Sequence, residues 1–143
     1  MNISNEDKIR CFDFLSEFEE SIKSNFGSYN IDDKHLRLFL KNNGIFLGKY
    51  NKRERSKALK SDYYIVFKQD KPHGKINDIV HHLLRHIRNS IAHCHIVKKG
   101  RSKFYIADES TSGDKTMEGY IDKEVFFSLL TPVSYTHLTL PAS

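Results

Sequence analysis

From Lys75 onward the chain carries its strongest periodic signal. Ile76, Ile79, Val80, Leu83, Leu84, Ile87 and Ile91 fall within one arc when residues are placed at about 100° each. An apolar arc that continuous must be buried, which predicts a central core helix. Lys98, Lys99 and Gly100 then supply basic residues and a glycine at or just beyond its end. The polar residues of the same segment do not form a uniform wet face. His82, His86, Asn89 and His93 recur at i, i+4, i+7 and i+11, along one stripe of the helix. Arg88 lies on the opposite flank of the apolar arc, about 140° from His93. A single straight helix therefore does not bring Arg88 and His93 to one small substrate atom. Either the helix end distorts near Ala92, or two copies of the helix meet across a two-fold axis and share the groups.

The remaining segments are built around this helix. A helix of about twenty residues opens the chain, capped by Ser4 or Asn5 with acids in its first turn. Its expected inward stripe is Ile9, Phe12, Leu15, Phe18, Ile22 and Phe26, and Gly27 marks a break. A second helix is predicted from Asp32 to Asn42, with Leu36, Phe39 and Leu40 inward and "NNG" as a glycine-type stop. "NKRERSKALK" reads as a solvated helix or loop, and a phosphate contact is the less favoured reading. The apolar run "YYIVF", Tyr63 to Phe67, is too short to assign to helix or strand. "KFYIAD" and "MEGYID" read as two strands flanking the turn-rich "ESTSGDKT", a hairpin. Asp122 can cap a last helix with Val125, Phe126, Leu129 and Leu130 apolar.

With 143 residues the chain suits one domain, 1–132. Residues 133–143, beginning "VSYTHLTLP", match a translated sequencing-library adapter. They are set aside from the fold argument, His137 with them, on the expectation that the natural chain was cut near Thr131 or Pro132. No apolar run reaches the length of a bilayer span and the first residues lack a signal-peptide core, so a cytoplasmic location without membrane contact is expected. Cys11 and Cys94 form no spacing motif and read as free thiols. The formal charge of +5, from 23 Lys and Arg against 18 Asp and Glu, is a mild bias compatible with a polyanionic partner.

"RNSIAH", Arg88 to His93, has the pattern of arginine, polar residue, three variable residues and histidine. In this it resembles the HEPN superfamily (higher eukaryotes and prokaryotes nucleotide-binding). The surrounding "LLRHIRNSIAHCHI", followed by the "KFYIAD" strand, looks like the small prokaryotic HEPN proteins of plasmid and defence loci. The resemblance runs from about Ile76 to Asp108. It implies a mainly α fold, a HEPN-like helical bundle with a short β-hairpin after the motif helix, dimerising so that two motif helices face one cleft. It also implies a metal-independent endoribonuclease of toxin or antiviral type, with RNA as substrate and no cofactor. An antitoxin or a nucleotidyltransferase would be its further partners. In such an enzyme the RNA's own 2′-hydroxyl attacks the adjacent phosphate. His93 would move the proton and Arg88 would fork onto the phosphate oxygens as charge builds. Asn89, His86 and His82 would serve as auxiliary or substrate-binding groups. One departure stands out: relatives carry glycine after the motif histidine, where this chain has Cys94. Glycine would let the backbone bend, whereas cysteine keeps the helix going or asks for another route.

Other readings of the same residues stay open. Arg88 and His93 could form a structural pair, or belong to a module that binds RNA, nucleotide or a protein without cleaving. His82 and His86 at i, i+4 could hold one metal ion, but no carboxylate or second cysteine lies at ligand spacing, and no metal site is expected. His81 and His95 read as solvent-facing. Cys94 reads as a small semi-buried residue rather than a nucleophile.

Overall fold

The computed structural model describes residues 1–22, 34–69 and 79–130. The adapter-like segment 133–143 lies outside them, as do the first residues of the predicted core helix, Lys75 to Asp78. The described chain is an α/β fold, with α1 (Asn5–Glu17) running on into a π-helical turn (Phe18–Ile22). Then follow α2 (Lys34–Asn42), β1 (Ile45–Lys49), α3 (Lys52–Ala58), β2 (Tyr63–Phe67), α4 (Ile79–Ala92), β3 (Ile96–Lys99), β4 (Lys103–Glu109) and β5 (Lys115–Asp122). A last helix, α5, covers 123–130. The five strands form one sheet in the order β1-β2-β5-β4-β3. β1 and β2 run parallel, and the other neighbours are antiparallel.

This overturns the expected mainly α bundle with a single hairpin. The β4–β5 hairpin is present, but it forms the middle of a sheet. "YYIVF" becomes β2, paired with β1 on one side and β5 on the other, where backbone hydrogen bonding on both edges commits a short apolar run to strand. The segment after α4 turns into β3, and Gly100, at φ 70°, closes the β3–β4 turn instead of ending a helix. β3 is an edge strand, and Asn2 Oδ1 accepts from its Lys98 N–H at 2.8 Å.

One sheet face carries the core. Phe104, Ile106, Ile65, Phe67, Met117 and Ile121 point from the strands into Leu83, Leu84, Ile87 and Ile91 of α4, with Phe14 and Phe18 of the α1 segment and Phe126 of α5. Gly119 belongs to this face, and a Cβ there would sit 2.9 Å from Ile106, so the sheet requires glycine where the two isoleucines close in. The first helix turns a different stripe inward from the one expected. Asp7, Cys11, Phe14 and Phe18 are buried, whereas Ile9 and Phe12 are 59% and 49% exposed. Asp7 tolerates burial because Lys123 of α5 pairs with it at 3.4 Å. The expected inward side chains of Ile22 and Phe26 fall outside what is described.

Several local signals act as the sequence suggests. Ser4 accepts from Asp7 N–H at 3.1 Å, and Asp122 caps α5 through Glu124 and Val125 N–H at 3.0 and 3.2 Å. Gly44, at φ 63°, ends α2 with its N–H on the Lys41 carbonyl. "NKRERSKALK" forms α3, which packs against β1 and β2. From there Arg55 reaches Glu118 on the second face of the sheet. Among the described residues no helix is long and apolar enough to cross a membrane.

Candidate functional site at the end of the core helix

The polar residues of α4 converge on one buried carboxylate that sequence reasoning did not single out. Asp108 alternates with Phe104 and Ile106 on the inward face of β4 and is 3% exposed. Its Oδ2 accepts from His86 Nδ1 at 2.8 Å and from Asn89 Nδ2 at 3.3 Å. Its Oδ1 accepts from the Glu109 N–H at 2.9 Å. Burial pushes this carboxyl up, but the hydrogen bonds from His86 and Asn89, the His86 charge and the Glu109 amide outweigh it. They hold Asp108 below its ordinary range.

His86 is gripped from two sides. Its other ring nitrogen, Nε2, lies 3.0 Å from the Lys68 carbonyl oxygen at the end of β2, and its ring tilts against Phe67. Both ring nitrogens thus face oxygen acceptors. His86 therefore serves here as a bridge between β2, α4 and β4, with no ring nitrogen turned toward a substrate.

The network continues outward from Asp108. Asn89, fixed through its amide nitrogen, presents Oδ1 to Arg88 Nη1 at 3.3 Å. Arg88 thus leans around the helix surface toward the stripe that carries Asn89 and His93. A backbone wheel, which ignores the length of the arginine side chain, does not register this reach. The same guanidinium meets Glu19 of the π-helical turn at 3.5 Å, and Arg88 keeps 35% of its side-chain surface exposed.

His93 sits exposed at the helix end, its ring edge-on to His95 at 6.0 Å. The helix ends directly before it, at Ala92. Cys94 takes φ 60°, the left-handed position that glycine fills most easily. Its N–H bonds the Ile91 carbonyl at 3.1 Å, and His95 N–H bonds Ser90 O at 2.7 Å. This pair is the Schellman closure of a helix.

The other candidates lie deeper. His82 is buried and stacks on His81 at 4.1 Å, one turn above His86. His81 is 3% exposed, not solvent-facing, and His95 is half-buried. Cys94 is exposed and Cys11 buried, and neither is in a disulfide. Among the described residues no group of three or more His, Cys, Asp and Glu side chains is placed to hold a metal ion. The side chains of this network that sequence reasoning missed are Asp108 and Glu19. An acidic residue at an inward position of an alternating strand was the available signal for Asp108. No protein-family model, curated protein or solved structure matches this chain.

Proposed function

We propose that the chain cleaves RNA without a metal ion, using Arg88 and His93 at the C-terminal end of α4. The fold departs from the bundle that the family resemblance implies, so the reading rests on the side chains. The observation that carries it is the contact between Arg88 and Asn89. A buried carboxylate holds Asn89, and Asn89 holds a partly exposed guanidinium, while His93 lies exposed one turn further along the stripe that carries Asn89. Arg88 then meets the phosphate as a preset cation. His93 accepts the 2′-hydroxyl proton while the 2′-oxygen bonds to phosphorus. The bond to the 5′-oxygen breaks, and that oxygen leaves with a proton, giving a 2′,3′-cyclic phosphate and a 5′-hydroxyl. A second copy of the chain facing the exposed arc of α4 would supply the opposite histidine for the leaving group.

The test is incubation of purified protein with single-stranded RNA in EDTA, beside Arg88→Ala and His93→Ala. Chelator-insensitive cleavage with cyclic-phosphate ends, lost in both variants, is the expected result. RNA bound but never cut would reassign the site to binding alone, and cleavage that survives both substitutions would overturn the assignment of these residues.

A further inference from the structure

The face of the sheet turned away from α4 carries a pattern that the helix-end site does not use. The strand registers place Phe46 of β1 beside Tyr64 of β2, Tyr64 beside Tyr120 of β5, and Tyr120 beside Tyr105 of β4. Val97 of β3 follows Tyr105. One straight row therefore crosses all five strands, with aromatic rings at four of the five positions, each of them partly exposed. At the usual strand spacing the row spans about 19 Å. Gly48 is the residue that lets Phe46 lie down on this face, since a Cβ there would stand 2.7 Å from the Phe46 ring.

Cations flank the row on both sides. On one side Lys99 and Lys103 occupy the next register position, with Lys103 paired to Asp122 at 3.6 Å. On the other, Lys115 and Arg55 close over Glu118 at 3.2 and 3.5 Å. Tyr105 hydroxyl donates to the same carboxylate at 2.9 Å, and Lys115 donates to Tyr105 at 2.7 Å. The carboxylates these cations meet are Glu118 and Asp122, with Glu109 opposite Lys115 across the β4–β5 pair. Glu118 is 9% exposed, beneath Lys115 and Arg55, so the cationic groups lie outermost over that carboxylate. An aromatic row bordered by lysine and arginine, with α3 against its β1–β2 end, offers stacking to bases and counter-charge to a phosphate backbone. It offers neither the groove that a helix needs nor the negative potential that a basic peptide needs.

We propose that this sheet face is a platform for single-stranded RNA, with bases stacked on the row of Tyr64, Tyr120 and Tyr105 and phosphates on the flanking lysines. The choice of RNA over DNA rests on the cleavage reading above; the platform itself does not. The test is fluorescence anisotropy with a labelled 12-nucleotide oligouridylate, in the Arg88→Ala/His93→Ala background so that cleavage cannot intervene. Tyr120→Ala is expected to weaken binding about tenfold and Tyr120→Phe to retain it, because a ring suffices for stacking. Lys99→Gln with Lys103→Gln, which also removes the Lys103–Asp122 contact, is expected to flatten the salt dependence, with circular dichroism checking that the variant is folded. Unchanged affinity in both Tyr120→Ala and the lysine pair overturns the proposal. So does equal binding of a duplex or of polyglutamate, and equal binding of the matching deoxyoligonucleotide overturns the assignment to RNA. If the parent protein fails to cleave RNA but binds oligouridylate through Tyr120, the platform stands and the helix-end reading falls.

Discussion

His86 and Asp108 lock α4 onto the sheet through a 2.8 Å contact between two side chains that are 15% and 4% exposed. They come from segments 22 residues apart, and their meeting joins the core helix to β4 where the apolar contacts give out. The Lys68 carbonyl on the far side of the ring adds β2 to the same clamp. The carboxylate accepts every proton offered to it, so the network is satisfied only while Asp108 is ionised.

Replacing Asp108 by asparagine keeps the shape and inverts that logic. An amide placed at Oδ2 would set N–H groups against the His86 and Asn89 donors, and the charged acceptor that the two share is lost. Asp108→Asn is expected to cost about 3 kcal/mol of unfolding free energy, as breaking a buried pair does. Urea unfolding followed by far-ultraviolet circular dichroism measures it, and an unchanged midpoint would remove the clamp from the account of stability.

Acid should unlock the same contacts. Asp108 and Glu118 both titrate below their ordinary values of 3.8 and 4.5 in the folded chain, hydrogen bonds and cations outweighing burial at each. A depressed folded value means that the folded state binds fewer protons than the unfolded one. Its stabilisation is present above the ordinary value and is lost as pH falls through the folded value. Unfolding free energy should therefore decline below about pH 4.5, and the decline should be shallower in Asp108→Asn. Parallel pH profiles for parent and variant would place the acid sensitivity elsewhere.

The parts of this fold that sequence shows and hides divide on physical lines. The arc from Val80 to Ile91 is legible because a buried helix must repeat its apolar residues at its own period. "KFYIAD" and "MEGYID" are legible because each alternates and a turn lies between them. α1 misleads because its buried stripe contains Asp7 and Cys11, while Ile9 and Phe12 face solvent; the ion pair to Lys123 that permits this lies more than a hundred residues away. β1 and β2 become strands through partners distant in sequence, so no window of a few residues holds the information that commits them; β3 pairs back on β4 across the Gly100 turn, where the basic residues and glycine also fit a helix end. At the site, the stripe of His86, Asn89 and His93 was visible as spacing. The carboxylate that organises it was not, because its position follows from the register of β4 against β5.

Cys94 pays for its place in the left-handed region, since a side chain there crowds the carbonyl. Cys94→Gly keeps both closing hydrogen bonds of the α4 terminus and removes that strain. It is expected to raise stability by about 1 kcal/mol, close to 4 °C in melting temperature for a domain of this size. Cys94→Val should lower it. Thiol titration provides a companion check on the bend: Cys94 is exposed, whereas burial, with the Asp7 charge adding to it, pushes the Cys11 thiol up to about 12. One thiol per chain should react in the native protein and two after denaturation. Equal stability of the glycine and valine variants would mean that position 94 is not held left-handed in solution.

Glu19 offers the sharpest separation of structure from activity. Its carboxylate meets Arg88 at 3.5 Å, with the two side chains 47% and 35% exposed, so the pair contributes little stability. Glu19→Gln is expected to shift unfolding free energy by less than about 0.5 kcal/mol. In the proposed reaction, however, the same carboxylate competes with a phosphate for the guanidinium, and removing its charge leaves Asn89 as the partner of Arg88 among the described residues. RNA cleavage by Glu19→Gln should therefore rise severalfold at low salt, and the gain should shrink as added salt screens the competing charge. The contrast with Arg88→Ala makes the result interpretable, because that variant removes the phosphate ligand together with the ion pair. A Glu19→Gln protein that is stable, binds RNA and cleaves no faster than the parent would show that Arg88 does not meet the scissile phosphate.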